Sequence, residues 1–207
     1  DSVIPLAEMH AEKALSLDSA LADAHLALGD VRVHQWRWAD AERELDRSVS
    51  LDPSNPTVHL WHAELLLGMG EVKEAVGHAK MAYALDPLTA VTNQTLSLTL
   101  LDARQYGEAA SVARKGLVID STLGGLYVNL VEAELLGGHA DSAASAADRA
   151  LRVARDALGV RSAAIWAYTR AGRRSDAEAL MREMRRDQAS GNVPALDMAH
   201  ALLALGQ

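Results

Sequence analysis

Cysteine and phenylalanine are absent from the 207 residues, and aromatic side chains of any kind make up only 4%. Without cysteine there are no disulfides and no thiolate metal sites. A chain so short of aromatics is a poor candidate for a β-rich core, which draws on β-branched and aromatic residues. No apolar run approaches the roughly 18 residues that a membrane-spanning helix needs. A surplus of positive charge is missing too. The net charge is −8; residues 1–103 hold 7 Lys and Arg against 16 Asp and Glu, and residues 104–207 hold 13 against 12. Phosphate binding requires clustered cations, so direct nucleic-acid binding is not expected. An acidic first half suits a basic or mixed-charge polypeptide instead. Catalytic signatures are also lacking: there is no GxSxG elbow and no HExxH, and the short GMG at 68–70 and GG at 124–125 fall at turns. No catalytic residue, metal or cofactor is expected.

What the chain has in quantity is alanine and leucine, within an apolar content of 49%. Both lead the helix-propensity scale, and alanine lets helices approach closely. The apolar residues are periodic. Alanines stand at 7, 41, 75, 109, 143 and 177, each 34 residues after the last. Seven positions on lies a second column of small residues, Ala14, Ser48, Ala82, Gly116 and Ala150, broken by Met184. Gly70, Gly138, Gly172 and Gly206 share the period, with Trp36 and Arg104 in the same column. Pro53 and Pro87 repeat at the same distance.

A period of this length marks a helix–turn–helix unit that buries its apolar face only against its neighbours. The alanine column predicts where paired helices approach most closely. The glycine column predicts left-handed C-caps closing each first helix, and the Asp-Pro pairs at 52–53 and 86–87 close the second.

The segment from Ala22 to Asn55, ADAHLALGDVRVHQWRWADAERELDRSVSLDPSN, resembles one complete tetratricopeptide repeat. Leu28-Gly29, Ala41, Leu45 and Pro53 match that family's pattern. The resemblance covers the whole chain: a lone helix at about 4–17, full units at 22–55, 56–89, 90–123, 124–157 and 158–191, and a lone helix at about 193–205. It implies an all-α fold, an α-solenoid of stacked antiparallel helix pairs forming a single array. Ser121 and Arg155 replace the closing proline, and ARDALGV at 154–160 is an atypical connection. Trp36-x-Trp38 before AERELDRS, followed by LDPSNPTVHLWHAELLLGMG and LDPLTAVTNQTLSLTLLDARQY, resembles the repeat regions of large bacterial regulators, in which a winged-helix, kinase or cyclase domain precedes the repeats. That likeness implies a cytoplasmic location, or a periplasmic one should a membrane segment precede the repeats.

The family binds protein segments on the concave wall built by its first helices. The corresponding positions are Leu26 and Asp30, Leu60 and Glu64, Gln94 and Leu98, Val128 and Glu132, Ser162 and Trp166, with Trp61, Thr95 and Asn129 beside them. Residues four apart share a helix face. Asp30, Glu64 and Glu132 with apolar residues between them predict a groove for a peptide or protein segment of basic and apolar character. Members that hold chaperone tails present Lys, Asn, Asn, Lys and Arg to a C-terminal carboxylate. Here the matching residues are Leu26, Asp30, Trp61, Val91 and Thr95, so no chaperone-tail binding is expected.

His25, His59 and His62 invite a metal reading, but His25 and His59 occupy a column where the family packs large aromatics, and packing is expected. Arg149, Arg152, Arg155, Arg173, Arg174, Arg182, Arg185 and Arg186 form basic runs. Their expected role is a solvated face paired with Asp148, Asp176, Glu178 and Glu183. Trp38 shares a column with Val72 and Tyr106 and is expected in the core. The apolar last stretch, VPALDMAHALLALGQ, predicts end-to-end self-association or further helices in a longer protein. A module that senses a small ligand is the other function open to such a scaffold.

Overall fold

The computed structural model describes residues 3–189 and 193–206. Among them are twelve α-helices and no strand: α1 (Ile4–Leu17), α2 (Ala22–His34), α3 (Trp38–Leu51), α4 (Pro56–Met69), α5 (Val72–Leu85), α6 (Ala90–Asp102), α7 (Tyr106–Ile119), α8 (Gly124–Leu136), α9 (Ala140–Val153), α10 (Val160–Arg170), α11 (Arg174–Ala189) and α12 (Ala195–Ala204). The first helices of successive pairs begin at Ala22, Pro56, Ala90 and Gly124, and the second helices at Trp38, Val72, Tyr106, Ala140 and Arg174, all in steps of 34. The fold is the all-α solenoid of antiparallel helix pairs that the period predicts. The end of the last predicted unit, at 190–191, lies outside the described residues.

The chain clusters into two units, one ending at Pro87 and one beginning at Leu88. In the first unit α1 to α5 pack each on the next, and α2 touches α4. In the second unit α6 to α11 do likewise, while α6, α8, α10 and α12 also lie side by side as a wall of first helices.

The turns follow from local chemistry. After each first helix one residue takes a left-handed conformation: Gly70 (φ 84°), Gly138 (φ 87°) and Gly172 (φ 74°), but also Trp36 (φ 59°) and Arg104 (φ 58°). The next N–H then donates back into the helix, Arg37 to the Arg32 carbonyl at 2.9 Å and Gln105 to the Leu100 carbonyl at 2.8 Å, as Glu71 does to Leu66. These closures satisfy carbonyls that a helix end leaves open. Glycine takes this conformation freely, whereas Trp36 and Arg104 take it under steric strain.

The second helices end on a device that the proline column only half reveals. Asp18 Oδ1 accepts the Ala20 N–H at 2.9 Å, and Asp52 Oδ1 accepts Ser54 N–H at 3.2 Å and its hydroxyl at 2.9 Å. Asp120 Oδ1 accepts Thr122 N–H at 2.8 Å and its hydroxyl at 2.7 Å. These side-chain turns stop the helix whether proline follows, as at Asp52, or serine, as at Asp120. The two bonds from Thr122 hold the Asp120 carboxyl below its ordinary range.

Ala41, Ala75, Ala109, Ala143 and Ala177 are all wholly buried. The second small column is equally tight. A Cβ on Gly116 would come within 2.7 Å of Leu126 Cδ1 and 2.9 Å of Asn93 Cβ. One boundary differs from expectation. Helix α10 begins at Val160, because Gly159 ahead of it is left-handed (φ 79°) and its N–H donates to Asp197 Oδ2 on α12 at 3.1 Å.

Candidate binding surface

In the second unit the first-helix wall carries most of the candidate residues. Helices α6 and α8 are tied together where Asn129 Nδ2 donates to the Gln94 carbonyl at 3.0 Å. Asn129 is therefore a buried strut. The Gln94 side chain lies over Gly125, where a Cβ would sit 2.4 Å from Gln94 Nε2. Leu98 is 37% exposed on the same wall. Thr95 is buried and Val128 half-buried.

Further along, Glu132 on α8, Ser162, Ala163 and Trp166 on α10, and His200, Leu203 and Ala204 on α12 line one concavity of about 300 Å³. Glu132, Trp166 and His200 are successive members of a single 34-residue column, the one that begins at Asp30. The helix wall thus places three chemically different side chains around one hollow. Burial pushes the Glu132 carboxyl above its ordinary range; the charge of His200 works against that shift, and the Asp102 carboxylate reinforces it. Asp102 is itself shifted upward by partial burial. Ser162 Oγ donates to the Gly159 carbonyl at 3.0 Å, so its hydroxyl proton is engaged. Glu132, Ser162 and Trp166 are expected wall residues; His200 is not among them, although one further step of the column from Trp166 locates it.

In the first unit the candidates are drawn inward. Leu26 and Trp61 pack, with Val33 and Trp38, against a core of Ala41, Leu45 and Leu65. Trp38 is thus a core residue, and Trp61 shares that work. Asp30 is half-buried; its Oδ1 is shielded from solvent and lies 3.4 Å from His34 Nε2. Leu60 is half-buried and Glu64 exposed.

The histidines form interhelix fixtures. His25 Nε2 meets the Ser19 carbonyl at 3.2 Å and Nδ1 meets Glu44 on α3 at 2.7 Å. One repeat on, His59 Nε2 meets the Pro53 carbonyl at 3.0 Å and Nδ1 meets His78 Nδ1 on α5 at 3.1 Å. A carbonyl only accepts, so His59 carries its proton on Nε2 and its bare Nδ1 accepts from His78. The His62 ring lies 4.1 Å from that of His78, centroid to centroid, and its buried Nδ1 has no hydrogen-bond partner among the described residues. Burial brings His78 down to about 4, with His62 and His59 adding to the effect, and lowers His62 as well. Among the described residues no group of three or more His, Asp or Glu is arranged to hold a metal ion.

Three arginines of the basic runs, Arg155, Arg173 and Arg174, pair with carboxylates. Arg173 forks onto Asp148 at 2.8 and 3.1 Å, bonds Asp176 at 2.8 Å and lies over the Tyr168 ring. Arg174 pairs with Glu178 at 2.9 Å, and Arg155 with Glu183. Arg149 lies over the Tyr127 ring.

No protein-family model matches the chain, and no curated protein does. Solved structures match in fold. A thermophilic tetratricopeptide-repeat protein of Thermus thermophilus superposes with a TM-score of 0.70 at 21% identity, over 90% of this chain and 100% of that one. The pilF protein of Pseudomonas aeruginosa gives 0.76 at 18% identity, over 95% and 87%. YrrB, described as a repeat protein of the same kind with an unusual peptide-binding site, gives 0.64 at 19%, over 75% and 80%. The fold of this chain is that of tetratricopeptide-repeat proteins.

Proposed function

We propose that the chain is a non-catalytic scaffold that holds a peptide or protein segment of basic and apolar character along its first helices. The supporting observation is the wall of α6, α8, α10 and α12, whose 34-spaced column presents Leu98, Glu132, Trp166 and His200 in succession. An apolar strip with an indole and a half-buried carboxylate suits a mixed segment better than a nucleic acid, whose phosphates an acidic wall repels. The peptide-binding site named for YrrB supports the same use of the fold. Gln94 belongs to this proposed surface, with Asn129 as the strut beneath it; in the first unit the proposed contacts are Asp30, Leu60 and Glu64, over the core packing of Leu26 and Trp61. The likeness of the sequence to repeat regions of bacterial regulators supports a place in a larger regulatory protein.

Selection of a random peptide library on the purified chain tests this reading. Selected peptides should lose about tenfold or more in affinity, at least about 1.4 kcal/mol, for Leu98→Asp and Trp166→Ala. Binding to Glu178→Ala, away from the wall, should stay unchanged. Equal binding to all three variants would refute the wall as the docking surface.

Self-association is a second reading, favoured by the exposure of Leu196 and Leu203 on α12 and of Leu6 and Met9 on α1. It predicts a mass that rises with concentration in light scattering. A constant monomer mass would exclude it.

A further inference from the structure

The concavity between α8, α10 and α12 combines three features. It is a hollow with an indole in its wall, it contains a carboxylate, and no side chain of opposite charge from the described residues bonds to that carboxylate. Among the described residues Glu132 has no hydrogen-bond or ion-pair partner, and its charged neighbours are His200 and Asp102. Trp166 is half-buried, and among the described residues no ring or guanidinium lies over its face, in contrast to Tyr127 and Tyr168, which carry Arg149 and Arg173. Two other carboxylates of the second unit have such partners: Asp148 has Arg173, and Glu134 has Arg114. Asp197, buried at the foot of α12, receives the Gly159 N–H. Among these, Glu132 has neither a cation nor an N–H bonded to it from the described residues.

We propose that this concavity is a specific site for an arginine side chain of the bound polypeptide, with the guanidinium against the Trp166 face and the Glu132 carboxylate. A guanidinium is planar and weakly hydrated, stacks on indole and forks onto carboxylate, while its methylene stem suits Leu203 and Ala204 at the rim. A hollow of about 300 Å³ admits one such side chain. Desolvating a carboxylate without a cation is unfavourable, and an incoming guanidinium relieves that. Asp102 adds negative potential from α6. His200 faces the carboxylate from α12 and Asp102 from α6, and acid weakens the site by protonating Glu132.

The inference rests on the scaffold reading but is tested apart from it. The probes are Nα-acetyl-arginine methylamide and its neutral isostere, the citrulline derivative, titrated against the full chain while the tryptophan indole N–H resonances are followed. Trp166→Phe identifies the Trp166 signal. The arginine probe should shift that signal with saturation, and the citrulline probe should not. Glu132→Gln, with helicity unchanged by circular dichroism, should weaken the arginine probe about tenfold. Glu178→Ala, on α11 and away from the wall, should leave it unchanged. Equal response to both probes, no saturable response to arginine, or full affinity in Glu132→Gln would each overturn the assignment. If selected library peptides still bind the wall in that case, only the arginine site falls. If the arginine probe binds while no peptide does, the scaffold reading falls and the site stands.

Discussion

The two units share one backbone repeat and differ in what fills it. The first, up to Pro87, holds the entire net charge of −8, six of the eight histidines and three of the four tryptophans; the second is neutral overall. Equivalent positions make the contrast concrete. The column of His25 and His59 continues as Asn93 and Tyr127, and the column of their partners Glu44 and His78 continues as Val112 and Ala146. In the first unit the junction between paired helices is closed by polar rings bonding across it. In the second it is closed by buried Asn93, Tyr127, Val112 and Ala146, with five alanines buried along α9 alone. The backbone period tolerates either solution, so what the repeat fixes is helix placement. Rigidity and pH response are set by the filling.

The largest effect should come from overfilling the alanine column. Ala143 on α9 is flanked by buried Ala144, Ala146 and Ala147, none of which has a rotamer that can yield. Ala41 on α3 faces a cluster with half-buried Leu26, Val33 and Trp38, which can shift outward. Ala143→Leu should therefore cost about 3 kcal/mol and Ala41→Leu about half that, in urea unfolding followed by circular dichroism. Equal costs would mean that the two junctions are equally rigid and would break the comparison.

Such contrasts bear on what could be read before any coordinates. The helix pairs, the buried alanines and the left-handed column were legible because they are backbone requirements, and a backbone requirement recurs at every period. The Asp18, Asp52 and Asp120 turns are equally periodic, but proline is the louder signal in the same segment. His200 was legible from the column of Trp166. The His59–His78 bond was not, because only one repeat has histidine at both positions and nothing recurs. Nor could sequence tell that Asn129 is a strut and that Trp61 packs on the core while Glu132 has no bonded partner among the described residues. Wall positions share a helix face, and which of them turn inward depends on the size of the neighbours in the next helix.

The second comparison is one of sign. His78 is held at about 4 and His62 is lowered, against an ordinary 6.5, with Asp46 and Glu42 only partly opposing the effect. Between about 6.5 and 4 the unfolded chain binds more protons than the folded one. The α4–α5 pair thus keeps its stability above that window and loses it as pH falls through it. Glu132 and Asp102 are shifted the other way. Their folded forms bind protons first, so acidification from neutrality stabilises the second unit until the ordinary carboxylate range is reached. Amide exchange at pH 7 and pH 5, corrected for intrinsic rates, should show α4 and α5 losing about 1 kcal/mol of protection, a figure discounted because His78 is only half-buried. Helices α8 and α10 should hold or gain. Replacing His62, whose buried Nδ1 has no partner among the described residues, by leucine should shrink the acid loss. A uniform loss in both units would show that the histidine junction does not govern the response.

The smallest effect tests whether the first unit's aromatic content offsets its backbone strain. Trp36 and Arg104 sit at equivalent left-handed positions, φ 59° and 58°. Glycine there relieves a strain of about 1 kcal/mol, less a part returned as unfolded-state entropy. The two sites differ in what the side chain gives back. The Trp36 ring, although 77% exposed, stands edge-on to Trp38 with centroids 5.5 Å apart and planes at 88°. Such a pair is worth roughly 0.5–1.5 kcal/mol, comparable to the strain itself. Arg104→Gly should therefore raise stability by about 0.5 kcal/mol, while Trp36→Gly should leave it near the starting value. In the double variant Trp36→Gly, Trp38→Leu, the backbone gain at position 36 should reappear relative to Trp38→Leu alone, because the ring contact is already gone. If Trp36→Gly stabilises as much as Arg104→Gly in the otherwise unchanged chain, the tryptophan pair contributes nothing, and the aromatic filling of the first unit does not extend to its turn.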